Sequence, residues 1–238
     1  MSWLERTELL IKKEGIEKLS KANVLVVGLG GVGAFAAEFL ARAGVGKMTI
    51  IDGDVVDKTN KNRQLIALES TINQPKSELM ATRLRDINPD IDLTVINEFL
   101  EPDRAYEIIH SDYDYVADCI DSISPKLSII KACHEKKINL ISSMGAGGAT
   151  DPSKIKVSSI ENTRDCPLAR HIRKRLKKEK IYTKFKAVFS LELPDKEAMA
   201  ETDGTNYKRS YYGTISYMPA LFGIYLAATI INHLIKKP

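Results

Sequence analysis

The stretch VVGLGGVGAF, Val26 to Phe35, decides how the rest of this chain is read. A short apolar run, NVLVVG, leads into it, and a helical pattern, GVGAFAAEFLARAG, leads out and ends at Gly44. Each glycine has a mechanical task. Gly28 makes the tight turn, Gly30 lets phosphate approach the backbone, and Gly33 lets the helix lie close to the sheet. The helix starting near Gly31 offers free N–H groups and its dipole to an anion. Asp52, closing the next apolar run KMTIID about 20 residues on, is placed to accept hydrogen bonds from ribose hydroxyls. At this point NAD and ATP are level.

Outward from the glycines, short apolar runs alternate with helical patterns. PKSELMATRLRDIN reads as a helix, DLTVIN and DYVADCID as strands, PKLSIIKACHEKK as a helix and INLISS as a strand. That alternation predicts right-handed crossovers and an α/β, Rossmann-like doubly wound fold, its mostly parallel sheet covered by helices on both faces. Trp3 to Leu19 reads as an amphipathic lead-in helix. After INLISS the order changes: a glycine-rich turn, MGAGGATDP, then a strand IKVSSI, a basic helix, a strand AVFSLEL and a polar loop, PDKEAMAETDGTNYKRS. An apolar segment, YMPALFGIYLAATIINHLIKK, closes the chain. The expectation is one domain over 1–238, with a nucleotide-binding core at 1–150 and a substrate and dimer extension at 151–238.

Hydrophobic content of 44% and charged content of 28% are those of an ordinary soluble protein. The N-terminal MSWLERTELL carries charges and lacks a cleavage site, so no secretory signal is expected. Three widely spaced cysteines, Cys119, Cys133 and Cys166, argue for a reducing, cytoplasmic setting and against a disulfide framework. The closing segment has uncharged residues from Tyr217 to Ile231, interrupted by Pro219 and Gly223, and is shorter than the ~20 residues of a membrane span. It is read as a buried or dimer-interface helix, with peripheral membrane association left open. The net charge of +4 is concentrated: RHIRKRLKKEK, Arg170 to Lys180, carries a net +6, so the remainder sums to −2. Arg170, Arg173, Lys174, Arg175, Lys177 and Lys178 form either a solvated helix face or a footprint for phosphates.

The residues after Asp52 tip the nucleotide toward ATP. IDGDVVDKTNKNRQ supplies Asp54, Asn60, Arg63 and Gln64, and NQPKSE adds Lys76 at the head of a helix. An arginine and a lysine converging on one crevice suit a triphosphate whose pyrophosphate must be neutralised as it leaves. DCIDS adds Asp118 and Asp121 at the carboxyl end of the sheet, where open α/β folds bind ligands. A carboxylate there can hold Mg²⁺ against phosphate oxygens; Asp118, flanked by apolar residues, reads instead as a cap on its strand.

Together, GLGGVG, IDGD, NKNRQ, QPK and DCIDS resemble the adenylation core of the ubiquitin-activating-enzyme-like superfamily, from about Arg6 to Ser143. The resemblance implies an enzyme, usually homodimeric, that uses ATP and Mg²⁺ to adenylate a carboxylate. It implies that Asp52 binds ribose, that Asn60, Arg63 and Lys76 contact phosphates with Gln64 in support, and that Asp121 holds the metal. Arg6 looks like the N-terminal arginine that reaches the partner subunit's ATP; an ordinary surface arginine is the other reading.

The sulfur-carrier activators of that superfamily usually carry two CxxC pairs, absent here, and often a transfer cysteine, for which Cys166 is the sole downstream candidate. INPDI, DSISPK, GAGGATDP, CPLARHIRKRL and AVFSLE resemble instead the branch acting on transfer RNA, the threonylcarbamoyladenosine dehydratases. That likeness implies ATP-dependent closure of the threonylcarbamoyl side chain beside the anticodon, with net loss of water. A substrate carrying its own nucleophile needs no enzyme cysteine. A tRNA substrate would also account for the basic run, with stacking on Tyr207, Tyr211 or Tyr212 as a further candidate. The alternatives are adenylation of a ubiquitin-like sulfur carrier, an NAD-dependent oxidoreductase and a non-catalytic RNA-binding module. A sulfur-relay protein partner is compatible with the resemblance.

Overall fold

The computed structural model describes residues 2–201 and 210–236. The five apolar runs of the first half are strands: β1 (Asn23–Val27), β2 (Lys47–Ile51), β3 (Asp92–Ile96), β4 (Tyr115–Asp118) and β5 (Asn139–Ser143). All pair in parallel. β1 is buried along its whole length because both faces of the sheet are covered. Its side chains alternate between two cores: Val24 and Val26 face one, Leu25 and Val27 the other.

The sheet has seven strands in the order β3-β2-β1-β4-β5-β7-β6. β7 (Lys186–Ser190) continues the parallel set beside β5, and β6 (Ile155–Ser159) closes the edge antiparallel to it. On one face lie α1 (Glu5–Lys21), α2 (Gly33–Arg42), α3 (Lys76–Ile87) and α7 (Tyr217–Lys236). The other face carries α4 (Pro102–Ile108), α5 (Ile123–Glu135) and α6 (Pro167–Lys178). The doubly wound reading therefore holds.

Four local features differ from the sequence reading. The lead-in helix runs to Lys21 but breaks at Lys12, which has φ +65° and ψ 170°. The chain crosses from β3 to β4 through α4, a two-turn helix for which no segment had been assigned. The strand expected over AVFSLEL starts one residue earlier and ends at Ser190, and DYVADCID contributes only Tyr115–Asp118. Within the polar loop, β8 (Met199–Glu201) pairs antiparallel with β9 (Ser210–Tyr212). Tyr207 lies outside the described residues.

α7 is long and apolar enough to cross a membrane, yet half of its most apolar window is buried in the protein (50%). Met218, Phe222, Leu226, Ile230 and Leu234, four residues apart along one stripe, fill the core between α2 and the sheet. Pro219 sits in the first turn, where its missing N–H costs nothing. Gly223 lets α7 close on α2: a Cβ there would stand 2.3 Å from the Val32 carbonyl oxygen. The two apparent interruptions are thus a helix start and a packing contact.

Candidate nucleotide site

The strand order reverses between β1 and β4, so their carboxyl ends open into a crevice. Gly28, at the end of β1, has φ +87°, a conformation costly for any residue with a Cβ. Its N–H donates to the Ile51 carbonyl at 2.8 Å. Gly33 presses α2 onto this turn: a Cβ would come within 1.7 Å of the Gly28 carbonyl oxygen.

Asp52 fixes the turn from the β2 side. Its Oδ2 accepts from the Leu29 N–H at 2.6 Å and its Oδ1 from the Asp54 N–H at 2.8 Å. Burial raises its carboxyl above the ordinary range, opposed by the Leu29 hydrogen bond and by the charge of Lys76. Lys76, first residue of α3, is buried, and its Nζ lies 2.5 Å from Asp54 Oδ2. Asp54 and Lys76 therefore form one unit on the rim.

Asn60 is buried in a capping box that starts the 3-10 turn Lys58–Asn62: its Oδ1 accepts from the Asp57 N–H at 3.2 Å. Arg63, half-buried, follows this turn and donates through Nη1 to the Thr59 carbonyl at 3.1 Å and to Asn62 Oδ1 at 2.8 Å. Gln64 faces the glycines; its Nε2 would be 3.6 Å from a Cβ on Gly30. Its buried Oε1 has no hydrogen-bond partner. Gly31 lies between the Arg63 carbonyl and Pro219, at 3.3 and 2.9 Å from a would-be Cβ.

Across the switch point, Asp118 is fully buried (0% exposed) and works as a structural anchor rather than a ligand. Lys126, also 0% exposed, donates to its Oδ2 at 2.6 Å, to Ser142 Oγ at 3.0 Å and to the Ser143 carbonyl at 2.9 Å. Asp118 Oδ1 accepts from the Ile120 N–H at 3.3 Å, bracing the turn that presents Asp121. Asp121 itself is exposed. Lys126 escaped the sequence reading because a lysine inside PKLSIIK looks like a surface charge; its one signal is an otherwise apolar helix.

The far wall is built from the extension. Glu192 accepts from the backbone N–H groups of Thr150 and Asp151 at 3.0 and 2.8 Å, clamping the glycine-rich turn after β5. The Gly148 N–H donates to the Gly213 carbonyl at 2.8 Å, and Asn62 Nδ2 donates to the Thr214 carbonyl at 3.0 Å. Tyr212 packs on Gly147 and Gly148.

The remaining candidates lie outside this ring of contacts. Arg6 is exposed on α1 and forms no ion pair among the described residues. Cys166 is buried at the N-cap of α6. Burial pushes the thiols of Cys119 and Cys133 up, that of Cys133 to about 12. On α6 the buried stripe is Ala169, Ile172 and Leu176, so Arg170, Lys174, Lys177 and Lys178 project from the opposite side. Arg173 donates to Thr163 Oγ1 instead, while Arg175 is exposed. The run's one acid, Glu179, is drawn to Lys131 on α5, and no other ion pair touches the run among the described residues.

These residues fit a nucleotide. Gln64 keeps a buried acceptor unpaired beside Gly30, the half-buried Asp52 carboxylate braces the glycine turn, and Arg63 and the Asp54–Lys76 pair stand beside it. Among the described residues no group of three or more His, Cys, Asp and Glu is close enough to cage a metal by itself. A carboxylate such as Asp121 acting with phosphate oxygens is the way Mg²⁺ is commonly held.

The ThiF family model matches residues 4–238. A tRNA threonylcarbamoyladenosine dehydratase of Bacillus subtilis (strain 168) is 38% identical, over 97% of this chain and 94% of its own length. The solved structure of the Escherichia coli tRNA N6-threonylcarbamoyladenosine dehydratase in complex with ATP superposes with a TM-score of 0.87 at 35% identity, covering 97% of this chain and 93% of that one. The molybdopterin-synthase adenylyltransferase of Haemophilus influenzae is 39% identical but aligns with only 54% of the chain. The chain belongs to the ThiF family, in its tRNA threonylcarbamoyladenosine dehydratase branch.

Proposed function

We propose that this protein is an ATP-dependent dehydratase that closes the threonylcarbamoyl side chain of a modified adenosine beside the tRNA anticodon. The observation that carries the reading is the convergence of Arg63, the unpaired Gln64 acceptor and the Asp54–Lys76 unit on one glycine turn. In the first step a carboxylate oxygen of the substrate bonds to the α-phosphorus of ATP, and pyrophosphate leaves. An atom of the same side chain then attacks the activated carbonyl, and AMP leaves with the carboxylate oxygen. The nucleoside loses one water in total. With the nucleophile tethered, an enzyme thiol is superfluous, which suits the buried cysteines.

Gly28, Gly30, Gly31 and Gly33 would receive the phosphates, with Asp52 on the ribose. Asn60 would keep the phosphate loop in shape, while Arg63 and Lys76 neutralise charge developing on the departing pyrophosphate. Asp121 would hold Mg²⁺, which supplies further charge neutralisation. We place Arg170, Arg175, Lys174, Lys177 and Lys178 on the tRNA backbone, and Arg6 in the second copy's site of a homodimer working in the cytoplasm.

The test is pyrophosphate release from ATP and Mg²⁺ with tRNA carrying threonylcarbamoyladenosine and with the same tRNA transcribed unmodified. Release with the modified tRNA alone, with loss of 18 Da from that nucleoside, is expected. Release with neither, in a protein that still binds ATP, would overturn the RNA reading and point to a protein carboxylate. Arg63→Ala should slow release about 100-fold or more, the scale of losing one transition-state donor. A near-normal rate would remove Arg63 from the chemistry.

A further inference from the structure

The crevice has two walls, one from the nucleotide core and one from the C-terminal extension, and Asn62 joins them. Its side-chain amide is used at both ends: Oδ1 accepts from Arg63 Nη1 at 2.8 Å and Nδ2 donates to the Thr214 carbonyl at 3.0 Å. Thr214 is firmly placed. Its hydroxyl donates to the Tyr212 carbonyl at 3.0 Å, and the neighbouring Gly213 carbonyl accepts from the Gly148 N–H at 2.8 Å. The same extension meets Arg63 a second time, where Pro219 packs against Gly31 beside the Arg63 carbonyl. Segment 212–219 is therefore linked to Arg63 twice, through the Asn62 amide at its side chain and through Gly31 at its backbone. A planar amide with both ends engaged fixes orientation better than either bond alone, since rotating it breaks one to keep the other.

We infer that Asn62 is a positioning residue that couples the extension to the nucleotide: substrate seated on the 212–219 wall sets the Arg63 guanidinium for adenylation through the Asn62 amide. The inference rests on the adenylation reading above and names the path by which RNA governs the reaction. A bond of this kind moves the rate of the chemical step rather than the affinity for ATP, because it acts on a donor matched to charge that develops during reaction.

Asn62→Asp separates the two ends. Its carboxylate still accepts from Arg63 but cannot donate to the Thr214 carbonyl. The measurements are the ATP dissociation constant without RNA, the thermal midpoint, and single-turnover pyrophosphate release with modified and unmodified tRNA. For Asn62→Asp we expect an ATP constant within about 2-fold of wild type and an unchanged midpoint. Stimulation by modified tRNA should fall about 10- to 100-fold, the scale of a hydrogen bond to a charged group. Asn62→Ala, which removes both ends, should lose at least as much. Full stimulation in both variants would overturn the coupling, and so would a parallel loss of ATP affinity, which would make Asn62 part of the nucleotide site alone. A wild-type protein unmoved by modified tRNA would instead overturn the functional reading itself, which the variants do not probe.

Discussion

Lys126 is, with Phe222, among the largest fully buried side chains of the described residues, and its ammonium is satisfied only because Asp118, Ser142 and Ser143 converge on it. Taking both charges out of water is costly, so the pair contributes less to net stability than its short contact suggests. Removing one partner is another matter. Lys126→Met should destabilise by about 3–5 kcal/mol by stranding a buried carboxylate, whereas Asp118→Asn with Lys126→Met together should cost clearly less. Urea midpoints of the two singles and the double decide it; additive losses would show that the pair is not coupled. At this scale the glycines, Asp52, Arg63 and Lys76 stood out by residue type and spacing, and the fold gathers them around one crevice. Lys126 and Asn62 were not. Their roles depend on partners 16 and 152 positions away, and nothing local marks them.

Helices α2 and α3 are locked by one acid. Glu38, almost buried on α2, accepts from Arg42 Nε at 2.8 Å within its own helix, and from Arg83 on α3 through Nε and through Nη2, the latter at 3.2 Å. Burial raises its carboxyl, but the two arginines win and hold it below the usual value. A depressed carboxyl contributes stability above its unfolded value, and that contribution disappears as pH falls through the folded one. Glu38→Gln should therefore cost about 1–2 kcal/mol at pH 7 and less at about pH 3, below the unfolded value, read from denaturant midpoints at the two pH values. An equal loss at both would assign the effect to packing. Elements were legible where they are long or fully covered: β1, β2, β5 and α2 are apolar enough to declare themselves. α4 was not, because two turns with only Ala105 and Ile108 buried leave no periodicity to follow. β8 and β9, three residues each, fall below any pattern.

Across the whole molecule, charge and chemistry occupy different ends of the sheet. Because β6 runs antiparallel, its last residue, Ser159, lies away from the crevice, and α6 spans the return to the start of β7. The basic face of α6 should thus govern how tightly RNA is held and not how fast ATP reacts. Replacing Arg170, Lys174 and Lys178 by alanine should flatten the dependence of log affinity for tRNA on log salt by about 2–3, with the ATP constant unchanged. An unaltered salt slope would place the RNA elsewhere. The order of elements carries one more consequence. α7 is the final helix of the sequence, yet its Met218, Phe222 and Leu226 fill the core against α2, near the beginning. While the chain is being synthesised, α2 and the central strands emerge first and wait with an open apolar face until α7 follows them out of the ribosome. Closure of this core therefore waits for α7, and a chain stopped short of Tyr217 should expose that apolar face to chaperones and proteases rather than act as a smaller enzyme.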